Sequence, residues 1–179
     1  MPIISVDSQI VETELLHIAN QMILAATTAP KARGIDQLSY KILYREELTL
    51  LSNTMIQLGE RSNQPFFIRD AKNILQSPVV VLLGCSIQPL NLNECNYCGH
   101  ETCGNKSLHP NVPCAHNLLN LGIAVGIAAS VANTHHIDNR IMFSAGKAAL
   151  ELKIFPAETT CVYAIPLSVS SKNIFFDRS

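Results

Sequence analysis

Cys95, Cys98, Cys103 and Cys114 stand in the stretch CNYCGHETCGNKSLHPNVPCAH, separated by two, four and ten residues. This clustering is the strongest chemical signal in the chain, because thiolates are soft, tight metal ligands. His100, His109 and His116 lie among or beside them. Gly99 and Gly104 each follow a cysteine, where the backbone is expected to turn tightly. Pro110 and Pro113 stiffen the return to Cys114. The stretch predicts a compact loop held by turns and offering four thiol ligands. Three chemistries compete for it. An iron–sulfur cluster of the [4Fe–4S] type takes four thiolates and nothing else. Structural zinc takes four thiolates, or three with one imidazole, and the histidines suit the second form. Disulfides or plain buried thiols are the third. Against disulfides, Met1 to Ser8 lacks an export signal and the chain is large enough to fold without cross-links. The gaps match neither the bacterial nor the plant-type ferredoxin run, so spacing alone does not choose between iron and zinc.

The elements that must position such a loop can be read from the rest of the chain. Its 179 residues, 47% hydrophobic, suit a single domain over residues 1–179, with 94–116 as a cysteine-rich insertion. Thirteen basic and 14 acidic residues give a net charge of −1, and no basic run points to nucleic acid or an anionic membrane. The longest apolar run, Leu118 to Ala132, is broken by Asn120 and Ser130 and is short for a bilayer. A cytoplasmic protein is therefore expected, where thiols stay reduced. The chain has no phosphate loop, Rossmann glycine fingerprint, Gly-x-Ser-x-Gly elbow or His-Glu-x-x-His pair. Any chemistry is expected to be carried by a cofactor.

Val11, Leu15, Ile18, Met22 and Ala25 form one face of a first helix, capped at Asp7 or Ser8 and running to about Thr28. It stops at Pro30, and the turn Pro30-Lys31-Ala32-Arg33-Gly34 carries two cations that either hold a phosphate or are simply solvated. Leu38 to Leu43 reads as a strand, Glu46 to Arg61 as a helix, Ser62 to Pro65 as a loop and Arg69 to Gln76 as a short helix. The uninterrupted run Val79 to Leu83 predicts a central buried strand ending at Gly84-Cys85. Cys85 either faces a site or is a small buried residue, and Cys161 reads as core. Asn117 to Asn133 is apolar nearly all round, which predicts burial on all sides. Gly122 and Gly126 there admit a close neighbour: a partner helix, a flat cofactor or the same subunit. His135 and His136 read as exposed. Phe143 to Leu152 is a helix with a small-residue start, Thr160 to Leu167 a strand, and Ile174 to Phe176 a last edge strand. The pattern is α+β, or α/β-like: a central sheet covered by helices.

The order Ile23 to Leu43, Pro78 to Val81, the Gly/Ala helix before His135, and Tyr163-Ala164-Ile165-Pro166 resembles the FMN-dependent nitroreductase fold. The cysteine stretch, Asn117 to Ile123 after it and Asp138-Asn139-Arg140 are similar to uncharacterised prokaryotic proteins containing a ferredoxin domain, which are thought to be nitroreductase-like with a cysteine-rich insertion. The resemblance covers nearly the whole chain. It implies a homodimer with FMN at the subunit interface. By position, Pro30, Lys31, Ala32 and Arg33 match the loop that touches the flavin, and Phe143, Ser144 and Gly146 match the segment whose backbone approaches its ring. Arg178 matches a C-terminal cation near the phosphate. The chain departs from the pattern in lacking the Arg-rich N-terminal motif and in placing Lys31 and Gly34 where Ser and Asn are usual. The expected function is a redox protein, a flavin-dependent oxidoreductase or electron-transfer protein with an iron–sulfur cluster at the four cysteines. The alternative is a non-enzymatic dimer stapled by structural zinc. The redox partner and substrate stay open.

Overall fold

The structure, a computed structural model, describes residues 7–176. Helix α1 (Ser8–Thr28) starts at Asp7, whose carboxylate accepts the N–H groups of Gln9 and Ile10 at 3.0 Å. That satisfies two of the donors a helix start leaves free. A one-turn 3-10 segment (Ala32–Gly34) leads to strand β1 (Leu38–Tyr44), and helices α2 (Glu46–Ser62) and α3 (Pro65–Leu75) follow. Helix α3 begins four residues earlier than Arg69, the start expected from the sequence. Pro65, read there as loop, occupies the first turn, where its missing N–H has no helical partner to lose.

Strand β2 (Val79–Ser86) is buried along its whole length and lies between β1 and β4 (Thr159–Ser168). The short strand β3 (Asp138–Asn139) completes the order β1-β2-β4-β3, all antiparallel. Alternation along β2 explains the layers. Val79, Val81, Leu83 and Cys85 join the core under α1 and α5 (Ala115–Thr134), whereas Val80 and Leu82 join the core under α2, α3 and α6 (Phe143–Glu151). The result is a sheet sandwiched between two helical layers, the mixed helix–sheet architecture expected. Short helix α4 (Cys103–Ser107) lies inside the cysteine stretch.

Two local expectations are corrected. Ile174 to Phe176 forms a turn, not an edge strand: Phe175, 4% exposed, is drawn into the second core. And α5 is not buried on all sides. Leu121, Ala124, Val125, Ala128 and Ala132 face the core, but Leu119 is 55% exposed, and a Cβ added at Gly122 or Gly126 would meet nothing within 4 Å. The intramolecular packing weighed for these glycines is therefore absent among the described residues. By length and composition α5 would suffice to cross a membrane, and here 44% of its 18-residue apolar stretch is buried inside the fold.

Candidate metal centre and the turn beside it

The chain leaves β2 at Ser86 and enters the cysteine stretch at the same end of the sheet. Left-handed backbone at Asn91, Glu94, Asn96 and Gly99 coils it tightly. Of the two glycines expected to turn, Gly99 does so with φ +82°, whereas Gly104 sits in α4. Thr102 caps α4 by accepting the N–H of Asn105 at 3.1 Å. Cys114 is the N-cap residue of α5.

All six cysteines are free. Cys95, Cys98, Cys103 and Cys114 line a single small cavity of about 20 Å³, together with His100 and Lys106. Among the described residues no group of three or more His, Cys, Asp or Glu side chains has already converged on one point as a finished ligand set. The thiols thus share a wall without yet sharing a centre. Cys103 points its Sγ at the Leu92 carbonyl, 3.8 Å away. Of the three histidines, His100 lines the cavity and stacks on His109 at 4.9 Å, while His116 stacks on Tyr97 at 5.3 Å.

Lys106 is the residue the sequence reading missed. It is 3% exposed, and its ammonium donates to the Ile87 carbonyl at 2.6 Å. Among the described residues no carboxylate pairs with it. A buried ammonium without a counter-charge is expensive, and the groups able to become anionic in the cavity it lines are the thiols and Glu101. The donor chemistry therefore fits a group that brings negative charge, as four thiolates on a metal centre do. The sequence held one clue: Lys106 is the only Lys or Arg between Cys95 and Cys114.

The turn after α1 abuts this loop. Arg33, with φ 60°, donates Nη1 to the carbonyls of Leu90 and Asn91 at 2.7 and 3.2 Å, where the cysteine stretch begins. The Ala32 N–H donates to Oδ1 of Asn120 on α5 at 3.0 Å. Lys31 is committed to its own helix: Nζ donates to the carbonyls of Ala26 and Thr27 at 2.8 and 2.6 Å and pairs with Asp36 at 3.5 Å. It caps the negative end of α1 and has no donor to spare for a phosphate. Pro30 is exposed beside it. Arg33→Ala should release the Leu90–Asn91 backbone, with a stability loss of about 1 kcal/mol. Hydrogen exchange over residues 88–94 checks this; unchanged protection there would mean the guanidinium contacts are not what hold the loop.

The other positions matched to a flavin lie on α6. Phe143 is 53% exposed at its start. Ser144 is 1% exposed and donates to Asp70 Oδ2 at 2.6 Å. Asp70, on α3, also accepts from Arg69 at 2.8 Å and lies 3.8 Å from Arg140. This buried carboxylate fixes the start of α6 to α3. Gly146 packs on β4, and a Cβ there would lie 1.9 Å from the Val162 carbonyl oxygen. Ser144 and Gly146 thus serve the packing of α6. Arg178 lies outside the described residues.

A second polar cluster sits at the same end of β2. The buried Asn117 amide donates to Gln37 Oε1 at 2.7 Å and to the Gln88 carbonyl at 2.6 Å, and Ser86 donates to Gln37 at 2.8 Å. Asn117 Oδ1 is buried with no partner among the described residues.

Residues 110–178 match the model of a family described as uncharacterised proteins containing a ferredoxin domain. An uncharacterised protein of Archaeoglobus fulgidus is 33% identical over 164 residues, 87% of this chain and 86% of that protein. Among solved structures, the hypothetical oxidoreductase YcnD from Bacillus subtilis aligns with a TM-score of 0.56 at 16% identity. The alignment covers 88% of this chain but only 58% of that one. A putative nitroreductase in complex with FMN from Desulfovibrio desulfuricans aligns with a TM-score of 0.60 at 11% identity, covering 99% and 83%. At these identities the structural likeness establishes the nitroreductase-like fold.

Proposed function

We propose a redox role for this chain, which belongs to the family of uncharacterised proteins containing a ferredoxin domain. In this reading the cysteine loop holds an iron–sulfur cluster, of the [4Fe–4S] type, and the fold takes FMN beside it. The observation that carries it is the cavity lined by four thiols and one buried, uncompensated ammonium. When bound, the cluster supplies single-electron transfer and the flavin two-electron chemistry. The chain's own residues do the rest. Cys95, Cys98, Cys103 and Cys114 supply the thiolates. The buried Lys106 offsets their charge. Arg33 fixes the first turn to the mouth of the loop, so that two centres placed there would keep a constant separation. Of the two cations in that turn, Lys31 is spoken for, so Arg33 is the residue left to meet a flavin phosphate.

A homodimer belongs to the same proposal. The open face of α5 at Leu119, Gly122 and Gly126 would let a second copy's backbone approach closely, and obligate interfaces resemble cores. Gly126→Arg should convert a dimer to monomer in sedimentation; an unchanged mass would place any interface elsewhere. The second reading is structural zinc, favoured by His100 in the cavity wall, with no enzymatic role.

The deciding experiment is purification without oxygen, followed by assay of iron, sulfide, zinc and flavin on one sample. Iron with matching sulfide and released FMN supports the redox reading. Zinc without iron or flavin overturns it in favour of a structural staple.

A further inference from the structure

Cys85 and Cys161 lie outside the cavity of the cysteine loop; from the sequence Cys161 reads as core, and Cys85 as either facing a site or a small buried residue. In the sheet they are direct partners, Cys85 on β2 opposite Cys161 on β4, next to a break in register at Ser86. Partners across an antiparallel pair have Cα atoms about 4.5–5.5 Å apart. A disulfide bridges roughly 4.4–6.8 Å. The two differ in access: Cys85 is fully buried, whereas Cys161 is half-buried on a strand whose neighbours Thr160 and Tyr163 reach solvent. Their side chains interact. Cys161 is pulled down to about 6 by the neighbouring Cys85 thiol, against the effect of burial and with help from Thr160 and the Lys147 cation. Cys85 is pushed up by Cys161, by burial and, more weakly, by Cys114. The accessible sulfur is thus the better nucleophile and the buried one keeps its proton.

We propose that Cys85 and Cys161 form a second redox centre, a cross-strand dithiol that exchanges with low-molecular-weight disulfides through Cys161. The Cys161 thiolate attacks one sulfur of the small disulfide RSSR, forming a protein–S–S–R bond and expelling RS⁻. Cys85 then gives up its proton to that thiolate, attacks the Cys161 sulfur and expels the second RS⁻, which takes the proton Cys161 had lost to solvent. The protein gains one S–S bond and is oxidised by two electrons, and RSSR is reduced to two RSH. The exchange uses no loop cysteine and no cofactor as a reactant.

The test uses the full chain in buffers of reduced and oxidised glutathione, with peptide mapping under non-reducing conditions. A cross-linked Cys85–Cys161 peptide that disappears on adding excess dithiol is expected. Cys85→Ala should trap glutathione on Cys161, and Cys161→Ala should leave Cys85 unmodified. Absence of the cross-link in the wild-type chain, glutathione on Cys85 in place of Cys161, or Cys161 bonded only to a loop cysteine would each overturn the proposal.

Discussion

Replacing any one of Cys95, Cys98, Cys103 or Cys114 with serine should reduce bound metal to background, whether the ion is iron or zinc. A hydroxyl is a hard, poorly acidic donor that does not replace a thiolate, and a cavity lined by four thiols has no fifth to substitute. Cys85→Ser and Cys161→Ser should retain the metal, since neither residue lines that cavity. Metal analysis on the six variants, purified side by side without oxygen, checks this. Metal lost only in the Cys85 and Cys161 variants would sink the ligand assignment. Because Lys106 is buried against the same cavity, the four loop variants should also lose thermal stability as they lose the anion that compensates it.

The largest effect on folding is expected at Gly146. Gly146→Ala places a methyl group 1.9 Å from the Val162 carbonyl oxygen and within 3.1 Å of the Tyr163 Cα. Backbone on both sides makes this a clash that rotamers cannot relieve. Helix α6 would have to lift from β4, opening the core formed by Met142, Ala145, Ala148, Ala149 and Phe155. A loss of more than about 4 kcal/mol follows, enough to unfold many single domains. Urea denaturation followed by circular dichroism measures it. Gly126→Ala, where a Cβ meets open space, is the matched control and should stay near wild type within one subunit.

How much of this was legible in the sequence depends on range. The cysteine loop was, because its ligands are close in sequence and their chemistry is distinctive. So were α1 and α2, whose apolar faces repeat with the helical period, and β2 and β4, whose apolar runs have strand length. What surrounds the loop and holds α6 was hidden because it depends on contacts between distant segments. Asp70 and Ser144 are 74 residues apart, and neither belongs to a local motif. Lys106 reads as one more solvated cation until α4 turns it inward. The pairing of Cys85 with Cys161 needs the strand register. Lys31 and Arg33, read together as either a phosphate clamp or a solvated pair, part company in the fold: one closes the end of α1 and the other reaches the Leu90 and Asn91 carbonyls. The face of α5 was misread because composition counts apolar residues without saying which of them a monomer covers.

The Arg33 bridge has a thermodynamic consequence. It joins two segments 57 residues apart in sequence, the turn after α1 and the entry to the cysteine loop. Ordering one segment therefore lowers the entropy still to be lost by the other. Coupling of this kind is reciprocal. The factor by which metal in the loop strengthens an anion's hold on the turn must equal the factor by which that anion strengthens the loop's hold on metal. Two titrations run in opposite order would return the same coupling free energy, and Arg33→Ala would drive it toward zero.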